Sequence, residues 1–256
     1  MTVSSLLSSA LAEAAEAGSL LVATDFDGVL APLVLDPSTS RPLPGTVDSL
    51  RGLAAQPGTY AAVVSGRDLA SLGALTGLAD QDEVTLIGSH GAESTAAQGG
   101  SSMTPEQRDT LDRVTAALEA LTPAHPGFWL EHKPTAVVAH TRRMSPDAAP
   151  AAEADALEVT TRHTDVHVLH GKQVVEVSVV QADKGTALTG LREALGADAL
   201  VYFGDDVTDE HVFTRLGDGD VGVKVGDGET AARWRVDSPE DVAQALTLLL
   251  ERRVHR

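Results

Sequence analysis

Two clusters of carboxylates stand directly after apolar runs in this sequence. Asp25 and Asp27 follow the run LLVAT, and Asp205 and Asp206 follow the run ALVYFG. Residues i and i+2 of an extended chain point to the same side, so Asp25 and Asp27 can face one site. Two acidic clusters brought together repel each other strongly unless a cation lies between them. Because a site made only of oxygen ligands favours Mg²⁺ over zinc, the clusters indicate a magnesium site.

The same residue types could carry phosphoryl transfer. An aspartate such as Asp25 can attack phosphorus and form an aspartyl-phosphate, and Asp27, two residues on, could protonate the leaving oxygen and then activate water. Ser65 in the segment VVSGR offers a hydroxyl group, and Lys184 stands at the start of a predicted helix, where the dipole favours anions over a solvated lysine. DFDG alone would indicate a surface turn, but the features together favour a phosphoryl site.

Five apolar runs must position these side chains. They lie at 20–24, 61–67, 84–93, 199–206 and 221–228, and polar residues or glycines follow or close each one. Their hydrophobicity is continuous rather than alternating, which is typical of parallel strands covered by helices on both faces. Ligands bind beyond the carboxyl ends of such strands. We therefore predict an α/β fold with a doubly wound, mostly parallel sheet and a site at its carboxyl edge.

The middle of the chain has a different pattern. The segments 128–144 and 166–180 alternate apolar and polar residues, as half-exposed antiparallel strands do, and a helix is predicted between them. We predict that a smaller α+β domain, residues 106–181, is inserted into a core formed by residues 1–105 and 182–256.

Composition argues against several classes of function. The chain has 256 residues and a formal net charge of −18, which repels nucleic acid and anionic membrane surfaces. It has no cysteine, so disulfides and thiolate metal sites are excluded. No apolar run reaches the roughly 20 residues that span a bilayer, and the N-terminal segment lacks the pattern of a signal peptide. We expect a monomeric, cytoplasmic protein that binds neither nucleic acid nor membrane.

The segments that carry chemistry resemble those of a known superfamily. DFDGV, VVSGR, DKG and GDDVTDE are similar, in this order, to the four motifs of the haloacid dehalogenase (HAD) phosphohydrolases. GSHGAE, WLEHKPTAVVAHTRR, GKQVVEV and GDDVTDEHVF narrow the resemblance to the trehalose-6-phosphate phosphatases, over about residues 20 to 245. The resemblance implies a HAD-like, Rossmannoid core with a cap domain that closes over a sugar.

The resemblance also implies roles for individual residues. It makes Asp25 the nucleophile, Asp27 the general acid and base, and Ser65 and Lys184 the residues that hold the phosphate. The implied cofactor is Mg²⁺, and its implied ligands are Asp25, the backbone carbonyl of Asp27, Asp205 and, as a ligand or a neighbour of the ligands, Asp206. The residues implied in sugar recognition are Glu131, Lys133 and Glu176, with Arg67, His90 and Arg142 as weaker candidates.

The function implied is Mg²⁺-dependent hydrolysis of trehalose 6-phosphate to trehalose and phosphate through an aspartyl-phosphate. Two alternatives stay open. The same chemistry could serve another sugar phosphate, such as sucrose phosphate or glucosylglycerol phosphate. A phospho-accepting receiver module also uses paired acids, Mg²⁺ and a lysine, although the chain length, the insert and Asp27 argue against it. His163, His167 and His170 are interpreted as exposed histidines rather than as a metal site.

Overall fold

The structure is a computed structural model, and it describes residues 4–79, 82–96, 103–171, 173–180 and 183–256. The chain divides into two compact units, a larger one of residues 1–100 with 182–256 and a smaller one of residues 101–181. The predicted boundary at residue 182 lies outside the described residues, whereas Pro105, at the other predicted boundary, begins a helix.

The helices and strands of the described residues are, in chain order, α1 Ser5–Ala15, β1 Leu20–Thr24, α2 Thr46–Ala54, β2 Thr59–Val64, α3 Leu69–Thr76, β3 Val84–Gly88, β4 Glu93–Ser94, α4 Pro105–Glu119, β5 Trp129–Lys133, β6 Ala136–His140, α5 Ala149–Thr160, β7 His167–Gly171, β8 Val174–Ser178, α6 Lys184–Leu195, β9 Ala199–Gly204, α7 Glu210–Phe213, β10 Val221–Val225, β11 Trp234–Val236 and α8 Pro239–Val254. Short 3₁₀ turns lie at Pro37–Thr39 and Ser89–Gly91.

The larger unit is built on a seven-stranded sheet with the order β11-β10-β9-β1-β2-β3-β4. Its strands run parallel, except that β4 pairs antiparallel with β3. Strand β1 lies between β2 and β9, so Val22 pairs with Ala61 on one side and with Val201 on the other. The prediction of a mostly parallel α/β sheet is confirmed, and the edge strands β4 and β11 are additions to it.

Helices cover both faces of this sheet, which explains why its strands are apolar along their whole length. One core contains leucines of α1, α2, α3 and α8 with the side chains of β1 that share Val22's face. The other contains Leu188 and Leu191 of α6 and Phe213 at the end of α7. All five residues of β1 are buried. The sheet is therefore doubly wound, as predicted, and β1 is one of its fully buried central strands.

One buried arginine ties the C-terminal helix to the rest of the larger unit. Arg253 of α8 is 5 % exposed, and it has no carboxylate partner among the described residues. Its guanidinium instead donates hydrogen bonds of 2.7–3.0 Å to the Thr59 hydroxyl and to the carbonyl oxygens of Ala15, Ala17, Pro57 and Gly58. Because these groups precede β1 or β2 or begin β2, Arg253 fixes both strands at their amino ends.

The smaller unit is an antiparallel sheet with helices packed on one face. Its strand order is β5-β6-β8-β7, and Val137, Val175 and Val177 face a core shared with Val114 of α4 and Ala156 of α5. The other face carries the polar side chains of the alternating pattern. The predicted α+β character of this segment is confirmed. Among the described residues of either unit, no helix is long and apolar enough to cross a membrane.

Candidate active site

A cavity of about 580 Å³ opens at the carboxyl ends of the central strands of the larger unit. Its lining residues follow β1, β2, β3 and β9 or begin α6, so elements distant in the chain contribute to one pocket. The residues that line it are Asp25, Asp27, Leu33, Val34, Pro37, Ser65, Gly66, Arg67, His90, Lys184, Asp205, Asp206 and Thr208. The structure thus brings together the four predicted catalytic residues, the predicted acidic ligands, Arg67 and His90.

Asp25, the residue directly after β1, is a buried carboxylate of the pocket and is 5 % exposed. Its backbone N–H donates to the carbonyl of Phe203 at 2.9 Å, which continues the β1–β9 pairing by one residue. Its Oδ1 accepts from the N–H of Phe26 at 2.6 Å, while the Phe26 ring is buried in the core. Burial raises the pKa of Asp25 to about 7; nearby Asp209 also raises this pKa, and Lys184 opposes the shift.

Lys184 is buried between two carboxylates. Its Nζ donates to Oδ2 of Asp25 at 2.6 Å and to Oδ1 of Asp209 at 2.8 Å, and its side chain is 2 % exposed. Asp183 caps α6 by accepting a hydrogen bond from the N–H of Thr186, which sets Lys184 as the first residue of the helix. Burial alone would lower the pKa of Lys184, but the two carboxylates outweigh it and raise the pKa. The lysine is therefore a fixed cation beside Asp25.

Asp209 was not singled out from the sequence, and it organises this part of the pocket. It is fully buried. Its Oδ1 accepts from Lys184 and from the hydroxyl of Tyr202, at 2.8 and 2.6 Å, and its Oδ2 accepts from the N–H groups of Asp205 and Asp206, at 2.9 Å each. Each oxygen of Asp209 thus accepts two hydrogen bonds, and Asp209 holds the loop after β9 against Lys184. Its place four residues after Asp205 in GDDVTDE is the sequence signal that could have shown it.

Asp205 completes an acidic cluster that fits a metal ion. One oxygen each of Asp25, Asp205 and Asp209 lies within 4.8 Å of the others. Oδ1 of Asp205 is buried without a hydrogen-bond partner, and burial, with Asp209 and Asp206, raises the pKa of Asp205 to about 6. The buried Lys224 donates to the backbone carbonyl of Asp205. A carboxylate oxygen left unpaired among other carboxylates is a ligand position for a divalent cation.

The structure separates Asp206 and the Asp27 side chain from that cluster. Asp206 is exposed, and its Oδ1 accepts from the N–H of Val207 at 2.5 Å. It lines the pocket but is not one of the three clustered carboxylates, which favours the alternative of a neighbour over that of a ligand. The Asp27 carboxylate contacts Arg67, with Nε to Oδ2 at 2.6 Å and Nη2 to Oδ1 at 2.8 Å.

The loops after β2 and β3 are fastened to each other beside Asp25. The N–H of His90 donates to the carbonyl of Ser65 at 2.9 Å, and the N–H of Ser89 donates to the carbonyl of Arg67 at 2.7 Å. Ser89 and His90 have φ values of 48° and 56°, a left-handed conformation that is uncommon outside glycine. The two bonds hold this strained turn, and the His90 ring lies against Gly66. Such strain is concentrated at functional sites.

Three of the residues implied in sugar recognition share one face of the smaller unit's sheet. Glu131 and Glu176 both pair with Val138, and Lys133 lies two residues from Glu131. Lys133 Nζ contacts Glu176 Oε2 at 2.9 Å, and His140 Nε2 contacts Glu131 Oε2 at 2.9 Å. These side chains form a polar sheet face with alternating charges.

The other predictions for the smaller unit have different outcomes. Arg142 is exposed in the turn after β6 and does not lie on the sheet. Among the described residues, His163, His167 and His170 do not form a group that could hold a metal ion, and His170 instead contacts Glu153 at 3.2 Å.

Comparison with known proteins gives a consistent result. The family model described as Trehalose-phosphatase matches residues 23–240. The chain is 35 % identical over 237 residues to a trehalose-phosphate phosphatase of Mycolicibacterium paratuberculosis, covering 86 % of this chain and 59 % of that protein. It is 35 % identical over 238 residues to one of Mycobacterium tuberculosis, covering 86 % and 58 %. The chain thus spans about three fifths of the length of these curated relatives.

A solved structure extends this likeness to the whole of the described fold. The trehalose-6-phosphate phosphatase of Aspergillus fumigatus superposes with a TM-score of 0.71 and is 25 % identical in sequence. The match covers 98 % of this chain and 99 % of the fungal chain.

Proposed function

The chain belongs to the trehalose-phosphatase family, and we propose on this premise that it is a phosphoric monoester hydrolase that converts trehalose 6-phosphate to trehalose and phosphate. The observation that carries the proposal is the pairing of the buried Asp25 with Lys184, 2.6 Å apart, beside the unpaired oxygen of Asp205. A carboxylate fixed against a cation in a deep pocket suits attack on phosphorus, because the cation balances the charge of the incoming phosphate.

In the first step of the proposed reaction, an oxygen of Asp25 attacks phosphorus while the bond from phosphorus to the sugar oxygen breaks. Asp27 gives its proton to that sugar oxygen, and trehalose leaves. In the second step, Asp27 takes a proton from a water molecule whose oxygen attacks the same phosphorus. The bond from phosphorus to Asp25 then breaks, which releases phosphate and restores the Asp25 carboxylate and the protonated Asp27.

The other pocket residues are proposed to hold the phosphoryl group. Ser65 lines the pocket and is 2 % exposed, and its hydroxyl oxygen accepts a hydrogen bond from the N–H of Arg67 at 3.2 Å. Lys184 supplies a fixed positive charge. Mg²⁺, held by Asp25, Asp205 and the carbonyl of Asp27, would supply further positive charge to the phosphoryl oxygens. Asp209 accepts four hydrogen bonds, which keep Lys184 and the loop that carries Asp205 in place.

Recognition of the sugar is proposed for the polar face of the smaller unit, where Glu131, Lys133 and Glu176 lie together. Carboxylate and ammonium groups suit sugar hydroxyls because they accept and donate charge-assisted hydrogen bonds. His90 and Arg142 are kept as weaker candidates for this role. We further propose that the enzyme is monomeric and cytoplasmic. We also propose that it binds no nucleic acid, because a net charge of −18 repels anionic polymers.

The experiment that tests this function is release of phosphate from a panel of sugar phosphates, with Mg²⁺ and with a chelator. The panel contains the phosphates of trehalose, sucrose, glucosylglycerol and simple hexoses. We expect trehalose 6-phosphate to give the highest kcat/KM and the chelator to abolish turnover. A preference for sucrose phosphate or glucosylglycerol phosphate would contradict the proposed substrate but would still support the proposed phosphatase reaction. A stable phospho-protein without turnover would support the receiver alternative instead.

A further inference from the structure

The carboxylate of Asp27 is held from two sides. Arg67 donates to both of its oxygens, at 2.6 and 2.8 Å, and such a two-point contact fixes the plane of a carboxylate. Ser40 is fully buried, and its hydroxyl donates to Oδ1 at 3.0 Å. The Asp27 side chain is still 33 % exposed, so it remains open to the pocket while its orientation is fixed.

The guanidinium of Arg67 is itself held by the residues around Asp27. Its Nη2 also donates to the carbonyl of Pro37 at 2.8 Å, and its central carbon lies 5.5 Å from the centre of the Phe26 ring. The same group therefore has its Nε and Nη2 engaged in hydrogen bonds, lies over an aromatic ring and is 16 % exposed. This arrangement is typical of a side chain that supports a neighbouring residue rather than of one that binds a substrate anion.

We propose that Arg67 is a positioning residue that acts through Asp27, with Ser40 as a second support, and that it is not a ligand of the substrate. The inference rests on the proposed function, because it assigns the support of the proposed acid and base. Proton transfer to the leaving oxygen needs a defined distance and direction, and a shift of about 1 Å in such a group can cost roughly 100-fold in rate. A fixed carboxylate plane supplies that definition.

The leaving group distinguishes the two roles of Arg67. A sugar alkoxide is a poor leaving group and needs the proton of Asp27, whereas nitrophenolate leaves without one. A residue that positions the acid therefore affects the first step with a sugar phosphate and spares the first step with p-nitrophenyl phosphate. A residue that binds the phosphate affects both substrates and raises KM.

The test is Arg67→Met, with Arg51→Met as its matched control. Arg51 makes a similar contact on α2, outside the pocket: its Nε lies 2.7 Å from Asp82 Oδ1 and its Nη2 lies 3.0 Å from the carbonyl of Gly77. For Arg67→Met we expect the first-turnover rate with the preferred sugar phosphate to fall roughly 10- to 100-fold, with KM nearly unchanged. We expect release of nitrophenolate in the first turnover to stay near the wild-type rate, and Arg51→Met to change neither rate.

A double-mutant cycle with Asp27→Asn completes the test. If Arg67 acts through Asp27, adding Arg67→Met to Asp27→Asn slows the sugar phosphate no further. Arg67→Lys, which keeps the charge and loses the two-point contact, should resemble Arg67→Met and serves if that variant does not fold. Equal losses on both substrates with a raised KM, or losses that add in the cycle, would overturn the inference. Absence of turnover on every sugar phosphate would overturn the proposed function itself.

Discussion

Gly28 packs directly against the carboxylate of Asp205. A Cβ atom on residue 28 would lie 2.0 Å from Oδ2 of Asp205 and 2.4 Å from its Cγ, and Gly28 has a φ of +77°. Both the space and the left-handed backbone therefore require glycine. This contact lets the loop after β9 approach β1 closely enough for Asp205 to join Asp25 in one cluster.

Gly28→Ala should displace Asp205 and weaken metal binding. We expect the Mg²⁺ concentration for half-maximal activity to rise about 10- to 100-fold, because Asp205 loses its supported position. Titration calorimetry with Mg²⁺ measures the same loss without turnover. Gly190→Ala is the control, since a Cβ there meets nothing within 4 Å in the helix α6, and it should bind Mg²⁺ as the wild type does. Unchanged Mg²⁺ affinity in Gly28→Ala would contradict the assignment of Asp205.

Asp209→Asn should lower both stability and kcat. The change keeps the volume but removes the charge that faces the buried Lys184, and breaking a buried ion pair costs about 3 kcal/mol in the free energy of unfolding. It also frees the loop of Asp205, so kcat should fall. Asp220→Asn is the control: Asp220 contacts Arg192 at 2.8 Å near the other end of β9 and should affect stability alone. A wild-type kcat in Asp209→Asn would contradict the organising role.

The sheet and the pocket could be predicted because they depend on local patterns. Continuous apolar runs identify buried parallel strands, and polar residues after such runs meet at one edge whatever the details of packing. The role of Asp209 could not be predicted in this way. Its contacts with Lys184 and Tyr202 depend on how α6 packs against the loop after β9, which no local pattern reveals.

The same reason explains why the contacts of Arg67 and Arg253 cannot be predicted from the sequence. The resemblance implies Arg67 as a weaker candidate for sugar recognition, and its contact with Asp27 depends on the three-dimensional approach of the loops after β1 and β2. Arg253 is an arginine near the end of an amphipathic helix, where exposure is the ordinary expectation, and its burial depends on carbonyl groups far away in the chain. A pattern in one segment carries no information about such partners.

The buried carboxylates predict a dependence of stability on pH. The pKa of Asp25 rises from its usual 3.8 to about 7, and that of Asp205 rises to about 6, both chiefly by burial. The folded protein therefore holds protons that the unfolded chain has lost, and in chelator the free energy of unfolding should fall as pH rises from about 4 to about 7. Urea titrations across this range measure it.

Two comparisons isolate this effect from the general charge of the protein. Asp25→Asn should show a flatter dependence of the free energy of unfolding on pH, because it removes the carboxyl group whose pKa is raised by burial. Mg²⁺ should also flatten the wild-type curve, because the bound cation favours the ionised carboxylates. An identical slope in the wild type and Asp25→Asn would contradict the burial of an ionisable group at this position.

Arg253→Met should destabilise the larger unit without changing the pocket. The variant leaves carbonyl oxygens before β1 and at the start of β2 without their donor, and we expect a loss of about 2 to 4 kcal/mol in the free energy of unfolding. Below the unfolding transition, kcat and KM should match the wild type, because Arg253 binds the amino ends of strands whose carboxyl ends form the site. Chemical denaturation with parallel kinetics measures both. A stability equal to that of the wild type would contradict this role.

Mass spectrometry of the acid-quenched Asp27→Asn variant tests the central claim most directly. The variant is mixed with Mg²⁺ and p-nitrophenyl phosphate, whose leaving group needs no proton from residue 27, and it is then quenched within the first turnover and digested. Loss of the Asp27 carboxylate should slow hydrolysis of the aspartyl-phosphate, so we predict one added phosphoryl group, located on Asp25 and absent from the Asp25→Asn variant. A phosphoryl group on another residue, or trehalose formation by Asp25→Asn at the wild-type rate, would contradict the account.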